Sequence, residues 1–398
     1  MNTYLELLEF EILDDDISMD SSMDGLSSTE SIGSVDTVDM ILEHAIKHAD
    51  MIYSPLVDPT INLKKPPLLI RDINESDSLL EFRFRQHHLQ EMADRLWYKL
   101  GPLLNGTHDK INIRNRYVVP YETGFLMVLY RLARPRRLRP DMERYFSIHM
   151  AKISTVLSVF VDAMYEVALP YLSDPSIFQH RFRLYADLIN EKSGGAIDKV
   201  WGFIDGTVRR TCRPMRFQKA NYSGHKRTHG IKFQSVVTPD GLIALLYGPV
   251  AGSRHDAYLL RQSRLIPQLA ALMPLDTTPP TQRFMLYGDP AYPTTHVLFG
   301  GVNHPEAGTI EAKWNRQMSK VREVVEWLFK EVIVQWSFLD FRASMKIFQF
   351  PVAKYYIIGA FLGNIRTCYY GSQTAAYFGC LDEDAGKLTI DQYLSLVD

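Results

Sequence analysis

The first forty residues contain no lysine and no arginine, yet they carry eleven aspartates and glutamates. A stretch this acidic and serine-rich, such as MDSSMDGLSSTESIGSVDTVD, buries too little apolar surface to fold alone. The opening MNTYLELLEFEILDDD is acidic where a secretory leader is basic and then apolar, so export is not expected. Cysteine is scarce: Cys212, Cys368 and Cys380 are odd in number and lack CxxC spacing. That excludes a disulfide framework and a structural zinc site, fits a reducing compartment, and leaves Cys368 and Cys380 as small buried residues. No unbroken apolar run reaches the roughly 18 residues of a membrane span, so no membrane partner is expected.

The positive charge missing from the start is concentrated in the rest. The formal net charge is −2 over 398 residues, but beyond residue 40 there are 44 basic against 35 acidic side chains, a balance of +9. A basic body favours a polyanionic partner; the acidic leader reads first as a solvating tail and, as the alternative, as a weak competitor for the basic surface. With 46% hydrophobic residues the chain can bury a large core and divide into domains.

The pattern divides the chain into four parts. Residues 1–77 read as an acidic leader and a connector holding Pro55, Pro59, Pro66 and Pro67. Residues 78–190 read as all-helical and helix-turn-helix-like: Phe82, Leu89, Met92, Leu96 and Leu100 recur at helical spacing, ETGFLMVLYRLA follows, and DMERYFSI precedes a long helix over HMAKISTVLSVFVDAMYEVAL. Residues 196–345 turn to α/β, with VWGFID, IKFQSVVTP and LIALLYGPV as strands joined by turns such as Pro239-Asp240-Gly241. A helix opening at His255-Asp256, a strand RFMLYGD and a helix MSKVREVVEWLFKEVIVQW complete a β-β-β-α-β-α order, that of a ribonuclease-H-like core. Residues 346–398 form a helical extension, interrupted at Pro351, that packs on the core or on another subunit.

That order brings carboxylates to chemically useful points. Asp205 ends the first strand, Asp256 starts a helix, Asp289 ends the fourth strand, and Glu326 flanks the apolar stripe Val321, Val324, Val325, Leu328, Phe329 and Val332, with Glu323 as runner-up. Converging carboxylates repel unless a cation joins them, so a hard divalent metal, Mg2+ or Mn2+, is the expected cofactor. Metals shared by such groups serve in-line displacement at phosphorus, which predicts a nuclease with no covalent nucleophile. Each residue also has a plainer reading: a strand-end turn at Asp205-Gly206, a helix N-terminal charge at Asp256, a loop start at Asp289-Pro290, and an i,i+4 partner of Arg322 or Lys330 at Glu326.

The motifs IDGT, NYSGHKR, GSRHDAYLLRQSRL, YGDPAYP and VREVVEWLF succeed one another in a way that resembles PIF/Harbinger-type transposases of the DDE superfamily, from about Phe82 to about Tyr370. Thirty-six residues separate Asp289 from Glu326, close to the spacing of such enzymes. The resemblance implies Asp205, Asp289 and Glu326 as the catalytic triad and Asp256 as an additional metal ligand. It implies double-strand cleavage at transposon terminal inverted repeats followed by integration into a short target sequence, action in the nucleus, and a Myb-like partner that supplies DNA binding and import. Because DNA ends come in pairs, a homodimer is also expected.

Two basic segments are candidate phosphate contacts. One is the loop with Arg134, Arg136, Arg137 and Arg139; the other, residues 208–232, holds Arg209, Arg210, Arg213, Arg216, Lys219, Lys226, Arg227 and Lys232 and no acid. Phe217 and Tyr222 are interleaved there, as packing or as stacking platforms for an unpaired base. A haloacid-dehalogenase-like phosphatase needs acids where Phe203 and Pro293 stand, which argues against it. The remaining alternative is a catalytically silent, transposase-derived DNA-binding protein.

Overall fold

Five strands of the second half form the body of a mixed sheet because each is a run of mainly apolar, β-branched or aromatic residues bounded by glycine, proline or polar turns. In the computed structural model, which describes residues 65–397 apart from 196–197 and 303–304, these strands are β4 (Val200–Arg210), β6 (Thr228–Val237), β7 (Ile243–Ala251), β8 (Met285–Gly288) and β9 (Leu298–Gly300). The acidic leader and most of the connector lie outside the described residues. β6 pairs antiparallel with β4, with β7 and, over its first residues, with the two-residue β5 (Tyr222–Ser223); β8 runs parallel to β4 and to β9. The architecture is mixed α/β, consistent with the ribonuclease-H-like order expected from the sequence.

The helical segment before the sheet differs from the all-helical expectation. Helix α1 (Gln86–Leu104) buries Leu89, Met92, Leu96 and Leu100, and α2 (Tyr121–Ala133) is buried along nearly its whole length. Between them lies an antiparallel three-stranded sheet, β1 (Gly106–Thr107), β2 (Lys110–Ile113) and β3 (Tyr117–Val119). Strands this short leave little periodic trace: only Ile111 and Ile113 in β2 alternate inward. A single turn at Glu143–Phe146 ends at Ser147 in the left-handed region, and α3 (Met150–Ser173) follows.

α3 is long and apolar enough to cross a membrane by length and composition. Here it is a core helix, burying Ile153, Val156, Phe160, Val161 and Met164 and carrying Asp162 and Glu166 elsewhere on its surface. α4 (Phe182–Lys192) then leads to β4, with Phe182 stacked on Trp201 at 4.0 Å. After β7, α5 (Asp256–Gln262) and α6 (Leu265–Leu272) are separated at Arg264, which adopts φ 53°.

α7 (Ile310–Gln335) buries Val321, Val324, Leu328, Phe329 and Val332. Pro351 does not interrupt the last long helix; it is the N-cap of α8 (Val352–Tyr370), where the lack of an N–H costs nothing. The Asn364 side chain in α8 accepts from Ile243 N and donates to Ile243 O, both at 2.9 Å, satisfying backbone groups of β7. The turn residue Asp240 is fully buried, accepting from Tyr185 Oη at 2.6 Å and Thr238 Oγ1 at 2.5 Å, with Arg181 3.5 Å away. Burial pushes its carboxyl pKa up, with Arg181 opposing.

A candidate carboxylate site and its basic surround

β4 and β8 are parallel neighbours, and their last paired residues are Phe203 and Tyr287. Two residues further along each strand stand Asp205 and Asp289, so register alone sets these carboxylates side by side on strands about 4.8 Å apart. Asp289 Oδ1 accepts from Ala291 N at 3.0 Å, which fixes the turn leaving β8. Asp205 accepts from Gly206 N at 2.8 Å and meets Arg322 of α7, whose Nη1 lies 3.4 Å from Oδ2.

Burial dominates the electrostatics at Asp205. It pushes the carboxyl up to about 6; Arg322 and the Gly206 amide oppose this, while the fields of Asp289 and Asp256 add to it. Tyr292, buried beside Gln234, senses all three aspartates: burial first, then Asp256, Asp205 and Asp289 raise its phenol well above its ordinary value. The three groups therefore share one electrostatic neighbourhood.

Their placement is less symmetrical than the sequence suggests. Successive side chains on a strand point to opposite faces, so Asp205 and Gly206 look to opposite sides of β4. Asp256 reaches over the Gly206 side, where a Cβ would collide with its Oδ1. Lys232, beside it on β6, lies 2.9 Å from Asp256 Oδ1 and donates to Arg254 O at 3.1 Å. Despite that ion pair, Asp256 Oδ1 is buried and has no hydrogen bond of good geometry. Glu326 is exposed on α7, one turn beyond Arg322 and so on the face that meets Asp205; Glu323, also exposed, is turned about 100° from Arg322. Among the described residues no three acidic, imidazole or thiol groups are gathered closely enough to hold a metal ion together.

A hard divalent cation nevertheless suits this donor set. The donors are carboxylate oxygens, and Asp205 carries a charge that burial disfavours. Sequence reasoning misses Arg322 and Lys232 as the cations that face these acids. A trace exists for Arg322, four residues before Glu326, but that spacing equally suits pairing within the helix.

The basic candidates separate into two groups. Arg136 packs its guanidinium 3.6 Å over the Tyr130 ring and pairs with Glu81, with 11% of its side chain exposed. Arg137 stands 3.6 Å from Asp141, and Arg139 3.4 Å from Glu143. Arg136 is thus taken up by the fold's own ring and acid and Arg139 is half-buried, while Arg137 stays exposed beside Asp141. Arg209 lies 5.3 Å over Tyr356. By contrast Arg213, Arg216, Lys219, Lys226 and Arg227 are exposed along the β4–β6 connection, with Arg213 Nε donating to Gln218 Oε1 at 2.8 Å. Phe217 is half-buried against Phe348 and Tyr222 is exposed, edge-on to His229 at 5.1 Å.

Residues 204–364 match the family model described as DDE superfamily endonuclease. The matched segment contains all four carboxylates and the whole 208–232 basic stretch. No curated protein and no solved structure matches the chain.

Proposed function

We propose that the chain is a divalent-metal-dependent DNA endonuclease of the PIF/Harbinger transposase type, cutting phosphodiester bonds by in-line displacement. The observation that carries this reading is the parallel register that sets Asp289 beside Asp205, with Arg322 of α7, one turn before Glu326, ion-paired to Asp205. Asp205, Asp289 and Glu326, with Asp256 as a further ligand, would hold Mg2+ or Mn2+, which when bound supplies Lewis-acid stabilisation and activates water or a 3′-hydroxyl. Without it, Arg322 and Lys232 offset the charge of Asp205 and Asp256. Buried Tyr292 and Gln234 back the site and exclude water from behind it. Arg213, Arg216, Lys219, Lys226 and Arg227 would hold the phosphates of double-stranded DNA. On this reading the substrate ends are terminal inverted repeats, the compartment is the nucleus, and a Myb-like protein and a second copy of the chain are the partners.

The test is cleavage of plasmid DNA with Mg2+, Mn2+ or chelator. Asp289→Asn and Glu326→Gln should each abolish metal-dependent cutting while circular dichroism stays unchanged, and Glu323→Gln should cut normally. Wild-type-level cutting by Asp289→Asn would remove the carboxylate pair from the chemistry. A second reading, a DNA-binding protein that does not cut, draws on the cations already seated on Asp205 and Asp256. It predicts DNA binding without cleavage in either metal.

A further inference from the structure

Beyond Asp205, β4 runs to Arg210, and Thr211 leads into a loop that docks on residues 342–350. Cys212 N donates to Met345 O at 2.9 Å, Cys212 Sγ to Arg342 O at 2.9 Å, and Arg342 Nε to Thr211 O at 3.1 Å. Between the two segments lies a cavity of about 170 Å³. Cys212, Pro214, Met215 and Ile347 supply its apolar lining, and Arg213 and Lys346 bring cations to it.

Three observations set this place apart. Met215 is 87% exposed, the most exposed large apolar side chain among the described residues, and it stands between Arg213 and Arg216. Phe217 and Phe348, one from each segment, meet edge-on at 5.9 Å, and both hold left-handed backbone, φ 53° and 72°. That conformation is strained for a bulky residue and persists only where the surroundings enforce it. Finally, the cavity sits within a basic stretch of residues 208–232 that contains no acid.

We infer that this cavity holds one unstacked nucleobase of a DNA strand, with Met215 as the wedge that opens the stack. The inference rests on the nucleic-acid reading above. An apolar slot beside cations matches a nucleotide, whose flat base seeks apolar contact while its phosphate seeks Arg213 and Lys346. A site well under the roughly 300–1,000 Å³ of drug-sized pockets suits a fragment the size of one base. Methionine is among the side chains that proteins insert between base steps. Asp205 and Cys212 stand seven positions apart along the chain, roughly 23 Å at about 3.3 Å per extended residue, so the held base lies several nucleotides from any bond cut at the carboxylates.

The experiment compares two probes of equal charge on the full chain: a ten-residue oligodeoxythymidine and a ten-residue abasic deoxyribose phosphate. Stacking of one base is worth roughly 1–3 kcal/mol, so wild type should bind the base-bearing oligomer about tenfold more tightly. Met215→Ser, at a surface position that leaves folding intact, should reduce that preference below about twofold. Gln349→Trp, which fills the cavity mouth, should do the same, and Tyr222→Ser should retain the full preference. Equal wild-type affinity for both oligomers, with binding still falling steeply as salt rises, overturns the base site and leaves the endonuclease reading standing. A preference that survives both Met215→Ser and Gln349→Trp also overturns it. Absence of salt-dependent binding to either oligomer overturns the base site together with the nucleic-acid reading.

Discussion

Replacing Asp205 with asparagine should make the metal-free protein more stable, by an amount that grows with pH. Burial holds this carboxyl at about 6 against an ordinary 3.8, with Arg322 failing to compensate fully, and 19% of the side chain is exposed. Each pH unit corresponds to about 1.4 kcal/mol, so the ionised group costs the folded state roughly 3 kcal/mol. The sign follows from proton linkage. A carboxyl whose folded value is raised contributes stability that is fully present below about 3.8 and is lost as pH rises through about 6. Asparagine mimics the protonated acid at every pH. The variant should therefore exceed wild type by about half a kcal/mol at pH 4, rising to roughly 3 kcal/mol by pH 8. Urea denaturation in chelator, repeated across that range, measures the gap. Parallel curves for the two proteins, or a variant less stable at pH 8, would refute the reasoning. Arg322→Ala, which removes the main opposing charge, should move the wild-type loss to higher pH.

Three further outcomes are expected. Gly206→Ala should displace Asp256, because the new methyl occupies the space of its Oδ1; metal-dependent cutting should fall with it, and unchanged cutting would show that Asp256 is dispensable. Replacing Arg213, Arg216 and Lys219 with glutamine should flatten the salt dependence of DNA affinity by about 0.9 for each phosphate no longer neutralised, read from the slope of log affinity against log salt; Arg136→Gln should leave that slope unchanged. Asp240→Ala strips Arg181 and Tyr185 of a fully buried partner and should cost roughly 3–5 kcal/mol in urea denaturation, with a loss below 1 kcal/mol counting against a structural role.

The strand order and the neighbourhood of Asp205, Asp289 and Asp256 were legible because long alternating or apolar runs announce strands, with Asp205 and Asp289 falling toward the ends of two of them and Asp256 at the start of a helix. β1 to β3 and β9 were not, since two to four residues define no period and Leu298–Gly300 lies in a stretch punctuated by proline and glycine. The face of β4 that Asp256 approaches was equally hidden. Only the pleat separates Asp205 from Gly206, and a sequence does not say which helix covers which side. Arg136 shows a different limit: a run of arginines reads as a phosphate contact until Tyr130 and Glu81 are seen beneath one of them. Asp240 reads as a turn because proline and glycine flank it, while its buried partner Tyr185 comes from 55 residues earlier.

The amide of Asn364 clasps both polar groups of Ile243 and so shields the rim of the sheet from outside strands. The family match stops at that same asparagine, partway along α8. A fragment trimmed to residues 204–364 would keep the clasping side chain but lose the rest of the helix and Tyr393, whose hydroxyl accepts from Asn364 Nδ2 at 3.0 Å. Its outer strand would then be a template for intermolecular pairing, and such a fragment should precipitate where the longer chain stays in solution.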